Sequence, residues 1–376
     1  MASERFEIIP KQVYVTRHIE LKYACRCCDK TNIIKANKPL ELIPKGIASH
    51  SLLAYIGVSK YLDSLPLYRL ETILSRAGGD INRTSMARWM IKLSEAIQPL
   101  INLMKDDLCS SPIIHCDETG IQVLKEPDRA ASSKSFMWVL ARGDPGVCIF
   151  EYHSSRSSQT ARSVLGDYKG HMMVDGYRGY NNLGSDIVRI GCWAHARRYF
   201  YNAKSQLGPK AFKGSLAEHG LKKVKALYAV EKKSKYKSAE ERLIFRKENS
   251  VPILNELRTW LEKNINSVPK SLATGKALNY LFDNWDYLSR YTEAGYLPLD
   301  NNFVERMIRN YAIGRKNWIF SDTPAGADAS ANIYSLLTTA RLNNLQPYEY
   351  LRGVLDKIPY AKTIEDYQKL LPYKIK

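Results

Sequence analysis

The spacing of apolar residues along the chain changes near Pro112. In residues 46–108 apolar side chains recur three and four positions apart, which predicts helices. After Pro112 they alternate with polar ones in PIIHCDETGIQV, SFMWVLAR and VCIFEYHS, which predicts three consecutive strands. A helix (SSQTARSVLGDY), two further strands (HMMVDGY and IVRIGCWAH) and a basic helix (ARRYFYNAK) follow. This order predicts an α/β fold with a mixed sheet flanked by helices, preceded by a helical N-terminal domain.

The last two helices of that N-terminal domain follow a helix-turn-helix pattern. Asn82 is placed to cap the second of them. Arg83 and Arg88 fall on its exposed side, whereas Met86 and Trp89 turn inward. Two interpretations stay open, a DNA-binding unit and a plain three-helix bundle, because this geometry is common in proteins that never touch DNA.

Residues 201–292 differ in kind from the predicted sheet. Segments such as LKKVKALYAVEKK and VPILNELRTWLEK have helical spacing and many lysines, which predicts a helical insertion in the α/β core. Its lysines either form a solvated face or contact phosphates. Beyond it, a long helix is predicted to begin near Pro324, with Asp322 or Thr323 as its N-cap.

The net charge indicates a polyanionic partner. The chain has 56 Lys and Arg against 38 Asp and Glu, a formal charge of +18, and a charge of that size attracts nucleic acid. A basic but inert surface is the alternative. We expect no membrane partner, because no basic amphipathic segment has a continuous apolar face and no apolar run is long enough to span a bilayer.

The cysteines indicate a reducing compartment. There are seven, an odd number without a regular spacing, so no disulfides are expected. The N-terminus MASERFEIIP lacks the pattern of a signal peptide. We therefore expect a cytoplasmic, nucleoid-associated protein.

Three acidic residues stand where a carboxylate can leave an apolar element. Asp117 and Glu118 face opposite sides of the first strand. Asp117 is the candidate ligand because we expect it at the strand's end, with Glu118 solvated or supporting. Asp175 closes the apolar strand HMMVDGY, where it is either a cap or a ligand. Glu305 lies on the polar face of a helix, where it is either a ligand or the ion-pair partner of Arg309.

Five ordered segments, taken together, resemble one known family. They are HCDETGIQV, MVDGYRGYNNL, GCWAHARRYF, DNNFVERMIRNYAIGRKNWIFS and ANIYSLLTTARLNNLQPYEYL. These look like the motifs of the insertion-sequence 66 family of bacterial transposases, and the resemblance runs from about residue 4 to the C-terminus. The predicted order of elements is also that of the ribonuclease H-like fold. The resemblance implies a DDE triad at Asp117, Asp175 and Glu305.

A DDE triad implies two-metal phosphoryl transfer with two Mg²⁺ or Mn²⁺ ions, which prefer carboxylate oxygens. His195 is a candidate supporting residue, whereas Cys192 and His195 alone do not close a zinc site. Nearby basic residues are expected to contact DNA phosphates, although some will form structural ion pairs instead. The expected DNA-binding residues are Arg178, Arg197, Arg198, Arg306, Arg309, Arg315 and Lys316, together with Arg83 and Arg88.

The N-terminal segment SERFEIIPKQVYVTRHIELKYACRCCDK resembles only the second half of the family's zinc-finger-like region. Cys25 and Cys28 form one CxxC, so a four-ligand zinc site needs Cys27, His18 or another chain. The expectation is a shortened transposase with a whole catalytic core. The expected parts are a partial zinc-finger-like module (1–45), a helical helix-turn-helix-like domain (46–108), the first part of a ribonuclease H-like core (109–200), a Lys-rich helical insertion (201–292) and the completion of the core with the Glu305 helix (293–376).

The leading interpretation is a transposase that cleaves and joins the ends of its insertion sequence. Its expected partner is double-stranded DNA, both terminal repeats and target, bound by a homodimer or higher multimer. Small accessory proteins of the same element are candidate partners. The alternatives are a nuclease or resolvase on the same fold that never joins ends, and a non-enzymatic DNA-binding remnant.

Overall fold

The computed structural model describes residues 4–8, 11–24, 33–35 and 37–375. These residues divide into two compact units. The first unit comprises Met1–Asn102, Val123–Ala131 and Asn310–Lys376, and the second comprises Leu103–Gln122 and Ser132–Arg309. Asp117, Asp175 and Glu305 all belong to the second unit.

The N-terminal part of the chain is helical after a short antiparallel pair of strands. The predicted cap of the third helix is confirmed, because Oδ1 of Asn82 accepts the backbone N–H of Ser85 at 2.8 Å. Met86 and Trp89 are buried, as their spacing predicts. The elements are β1 (Lys22–Ala24), β2 (Ile33–Lys35), α1 (His50–Tyr61), α2 (Leu67–Arg76) and α3 (Arg83–Cys109).

The second unit is built on a five-stranded mixed sheet. The strands are β3 (Ile113–Gln122), β4 (Lys134–Arg142), β5 (Val147–His153), β6 (Gly170–Val174) and β7 (Ile187–Gly191), with α4 (Ser158–Leu165) between β5 and β6. Their order is β5-β4-β3-β6-β7, with β4 antiparallel to both its neighbours and β6 parallel to both of its own. The prediction of an α/β fold with a mixed sheet is confirmed.

The fifth strand is shorter than predicted. It ends at Gly191, and a helix begins at Trp193, so His195 lies on a helix and not on a strand. The Trp193 side chain is fully buried, and its ring N–H donates to the carbonyl of Leu288 at 2.7 Å. The buried Trp193 side chain therefore holds the start of this helix against the helical layer, two residues after the end of the strand.

Residues 201–292 are helical, as predicted, and they cover one face of the sheet. Met173 and Ile190 of the sheet share an apolar core with Leu227, Leu257 and Leu281 of the helices. The face of β6 that carries Met173 is therefore the face toward the helical layer. The helices are α5 (Trp193–Phe212), α6 (Leu216–Lys233), α7 (Ala239–Asn264), α8 (Ala273–Asp283) and α9 (Trp285–Ser289).

The rest of the chain is helical as well. The predicted start of the long helix at Pro324 is confirmed, with Thr323 as its cap, since Oγ1 of Thr323 accepts the N–H of Gly326 at 3.2 Å. The helices are α10 (Asn302–Trp318), α11 (Pro324–Leu342), α12 (Pro347–Lys357) and α13 (Ile364–Gln368), with 3-10 turns at Arg178–Tyr180, Arg290–Thr292, Ile358–Tyr360 and Pro372–Lys374. Among the described residues, no helix combines the length and the apolar character needed to span a bilayer.

Candidate active site

Asp117 lies on β3, and Asp175 follows directly after the end of the neighbouring strand β6. In the parallel register of β3 with β6, His115 lies opposite Met173, the last pair of the two strands, and Asp117 and Asp175 each come two residues later. Neighbouring strands are about 4.8 Å apart. Alternation along β3 puts Asp117 on the face of His115 and its partner Met173, the face toward the helical layer. The Asp175 carboxylate lies close enough to raise the pKa of Asp117.

Asp117 is not at the end of its strand, contrary to the prediction. β3 continues to Gln122 because it pairs with β4 along that whole stretch. Its pairing with β6 stops at His115, so Asp117 lies where the parallel neighbour has already ended. The space beside the Asp117 carboxylate arises because β6 ends there, although β3 continues.

Negative charge is concentrated at Asp117. Burial and the carboxylates of Glu118, Asp175 and Glu305 raise the pKa of Asp117 well above its usual range. Oδ1 of Asp175 accepts the backbone N–H of Tyr177 at 2.9 Å, so Asp175 does cap the turn after β6. One oxygen is enough for that bond, and capping therefore leaves the second oxygen available to a ligand. An acidic cluster of this kind favours a bound cation.

The start of α10 is tied to the sheet by Asn301, a fully buried residue that sequence reasoning missed. Its Nδ2 donates to the carbonyl of Cys116 at 2.9 Å, and its Oδ1 accepts Nδ1–H of His115 at 2.8 Å. Its backbone N–H donates to Sγ of Cys192 at 3.2 Å, and its carbonyl accepts the N–H of Glu305 at 3.2 Å. The polar run DNN just before a helix was the signal in the sequence. Asn301 thereby places Glu305 one turn from β3.

Glu305 faces α5. Its Oε2 lies 3.3 Å from Nη2 of Arg198, and its Oε1 lies 3.7 Å from Nδ1 of His195. No ion pair with Arg309 occurs among the described residues, so the surface-pair interpretation does not hold. Nε2 of His195 lies 3.4 Å from Nη1 of Arg198, so the same arginine contacts both His195 and Glu305. Burial lowers the pKa of His195, and the nearby Asp175 opposes that shift.

Cys192 adds a third donor to His195 and Glu305. One ligand atom from each of the three lies within 4.8 Å of the other two. Burial raises the pKa of the Cys192 thiol to about 12, and its sulfur already accepts the N–H of Asn301. Three donors are still one short of a four-ligand zinc site. The predicted zinc half-site, Cys25 and Cys28, lies outside the described residues.

Glu118 is buried, so the prediction that it is solvated is wrong, while the supporting role fits. Only 4% of its side chain is exposed, and it pairs with Arg156 and accepts a hydrogen bond from Tyr180. The reason is the alternation along β3, since Glu118 shares its face with the buried side chains of Ile114 and Cys116. The Arg156 guanidinium compensates the buried charge.

The residues predicted to contact DNA are mostly on the surface. Arg197 lies over the Tyr228 ring, 4.7 Å from its centroid, and Arg198 faces Glu305, so these two also have structural contacts. Arg197 and Arg315 are half-buried. The exposed ones are Arg83, Arg88, Arg178, Arg198, Arg306, Arg309 and Lys316.

Fold and site together define an α/β protein with an acidic centre bordered by exposed arginines. The chain belongs to the Transposase IS66 family, whose sequence profile matches residues 45–329. The IS66 C-terminal element matches residues 335–373, and the zinc-finger binding domain of transposase IS66 matches residues 1–29.

Relatives of similar sequence occur in Sinorhizobium fredii (strain NBRC 101917 / NGR234). The chain is 31% identical to the uncharacterized protein y4qI, over all of this chain and 71% of the relative. It is 30% identical to the uncharacterized protein y4jD, over all of this chain and 75% of that relative. The names of these relatives state no activity.

Proposed function

We propose that this protein is a DDE transposase that cleaves DNA at insertion-sequence ends and joins them to a target, with Asp117, Asp175 and Glu305 holding two Mg²⁺ or Mn²⁺ ions. The observation that carries the proposal is that Asp117 and Asp175 each lie two residues beyond the last residue pair of the neighbouring strands β3 and β6, His115 and Met173. Membership of a transposase family supports the reaction class and DNA as the partner.

The side chains fit hard divalent cations. Mg²⁺ and Mn²⁺ take oxygen ligands and need only one or two carboxylates each. Oε1 of Glu305 is buried and has no hydrogen-bond partner among the described residues, so it is free to bind a cation. When bound, two such ions would activate the attacking oxygen and stabilise the leaving oxygen of the phosphodiester.

The chain's own residues then have distinct roles. Asn301 fixes the start of α10 and so the position of Glu305, and Arg198 orients the Glu305 carboxylate through its Oε2. Exposed arginines such as Arg178 and Arg306 contact phosphates and hold the strand at the acids. No covalent intermediate on the protein is needed.

We extend the proposal to the architecture. The order β5-β4-β3-β6-β7, with three antiparallel strands followed by two parallel ones, supports a ribonuclease H-like core completed by the Glu305 helix. The five-part division of the chain, a DNA-bound multimer and accessory proteins belong to the same proposal.

The decisive variant is Asp117→Asn, which keeps the size of the side chain and removes its charge. With a plasmid that carries the element's own ends, cloned from the DNA flanking the gene, we expect wild-type protein to nick in Mg²⁺ and the variant to show no nicking. Affinity for duplex DNA should change less than twofold, because exposed basic residues supply it.

Asp167→Asn is the matched control, since Asp167 is an exposed acid of the second unit. It should nick like the wild type. Nicking by Asp117→Asn at the wild-type rate would refute the proposal. Joining of pre-nicked ends to a target separates a transposase from a nuclease that only cuts.

A further inference from the structure

A cavity of about 510 Å³ lies beside Asp175 in the second unit. Gly176 and Arg178, which follow Asp175 directly, form one wall, and residues of α5, α8 and α9 form the others. Tyr280 lies next to Asp175, since its ring packs against Gly176, the residue that follows Asp175. The lining includes Arg178, Tyr199, Lys270, Lys276, Tyr280 and Tyr287.

The aromatic side chains of this cavity are held in place. The rings of Tyr199 and Tyr280 stack with centroids 4.6 Å apart and planes 29° apart. Tyr280 also lies against Gly176, where an added Cβ would come within 2.6 Å of the ring. Tyr199 is 36% exposed, so part of its surface remains accessible to a ligand.

Tyr287, the third tyrosine of the cavity, is connected to Asp175 through Arg189. The Arg189 guanidinium lies 4.3 Å from the centroid of the Tyr287 ring. Nη2 of the same arginine donates to the carbonyl of Asp175 at 2.7 Å. One arginine therefore fixes both the cavity wall and the backbone of a predicted metal ligand.

The charges of the cavity suit an anion. Arg178, Lys270 and Lys276 are exposed, and no ion pair involves any of them among the described residues. Asp283 is the single acid of the lining, against these three cations. The three cations are therefore available for phosphate groups.

We propose that this cavity binds an unpaired nucleotide of the DNA strand being processed, by stacking on Tyr199 and by phosphate contacts from Lys276 and Arg178. Aromatic rings interleaved with unpaired cations are the means by which proteins hold single-stranded nucleic acid. An amide and aromatic lining with free lysines does not suit an apolar peptide. The inference rests on the proposed function, because it makes DNA the substrate, and it places the strand next to Asp175.

The test uses the full chain without divalent metal, so that binding is measured apart from cleavage. The probes are a fluorescein-labelled dT12 single strand and a duplex of the same length. Stacking contributes about 1–3 kcal/mol per base, which is roughly a 5- to 150-fold change in Kd. We expect Tyr199→Ala to weaken dT12 binding by that factor, Tyr199→Phe to preserve it, and neither to change duplex binding more than twofold.

Matched controls lie on the same helical layer outside the cavity. Tyr201→Ala removes a tyrosine of α5 that is 42% exposed, and it should leave dT12 binding unchanged. Lys276→Ala should reduce the salt dependence of dT12 binding by about 0.7 in log–log slope, whereas Lys247→Ala, an exposed lysine of α7, should not. As an independent readout, photo-crosslinking of a dT12 strand that contains 5-iodouracil should map to peptides with Tyr199 or Tyr287.

Unchanged dT12 affinity in Tyr199→Ala, or crosslinks that map only outside the cavity, would overturn the inference. Competition by free thymidine monophosphate at the concentration that dT12 requires would also overturn it, since the ligand would then be a free nucleotide. The two proposals fail separately. If Tyr199→Ala loses dT12 binding while the wild type does not nick, the cavity proposal stands and the transposase proposal fails. If the wild type nicks and Tyr199→Ala binds dT12 normally, the transposase proposal stands and the cavity proposal fails.

Discussion

Replacing Asn301 with alanine tests whether the start of α10 sets the position of Glu305. The Asn301 side chain is fully buried and joins the carbonyl of Cys116 to the ring of His115. Alanine leaves both of those buried groups without a partner, and each such group costs about 1–3 kcal/mol. We therefore expect the free energy of unfolding of the second unit to fall by about 2–6 kcal/mol.

The same change should impair nicking beyond its effect on stability. In the variant the backbone still begins α10, but residue 301 has no side chain that hydrogen-bonds to β3. A misplacement of about 1 Å can slow a reaction about 100-fold, so we expect nicking per folded molecule to fall by about 10- to 100-fold. Urea unfolding followed by circular dichroism, fitted with a transition for each unit, gives the folded fraction by which nicking is normalised.

Asn332→Ala is the matched control for this experiment. Nδ2 of Asn332 donates to Oγ of Ser94 at 2.9 Å and to Oε1 of Gln98 at 2.7 Å, all within the first unit. Its loss should destabilise that unit and leave nicking per folded molecule unchanged. The reasoning is refuted if Asn301→Ala nicks normally per folded molecule, or if Asn332→Ala loses as much activity.

Two further predictions concern charged groups. Arg156→Ala leaves the buried Glu118 carboxylate without its cation and should destabilise the second unit by about 1–3 kcal/mol; solvent weakens the pair, because 38% of the arginine side chain is exposed. Adding Glu118→Gln should recover most of that lost free energy of unfolding in urea. If the double variant recovers none of it, the pairing is contradicted. Burial lowers the pKa of Lys60 from 10.5 to about 8, so between these pH values the unfolded chain binds a proton that the folded chain does not. The stability of the wild type relative to Lys60→Met should therefore rise from pH 8 to 10.5. Thermal melting of both proteins across this range checks the prediction, and a difference in melting temperature that stays constant with pH would contradict it.

Much of the fold could be predicted because it depends on neighbours along the chain. Alternation after Pro112 predicted the first three strands of the sheet, and it put Asp117 and Glu118 on opposite faces. The caps at Asn82 and Thr323 follow from side chains that bond within three residues. The three acids could be predicted as well, because each lies within a short contiguous motif that resembles the family.

Tertiary structure alone decided how the site is assembled. The ion pair of the buried Glu118 carboxylate depended on Arg156 reaching it, and the space beside Asp117 depended on where β6 ends. The bond from Asn301 to Cys116 joins residues 185 positions apart, and no local pattern encodes it. Backbone preference and apolar periodicity act over a few residues, so they determine the elements. The distances between carboxylates are determined by packing between elements that are remote in the chain.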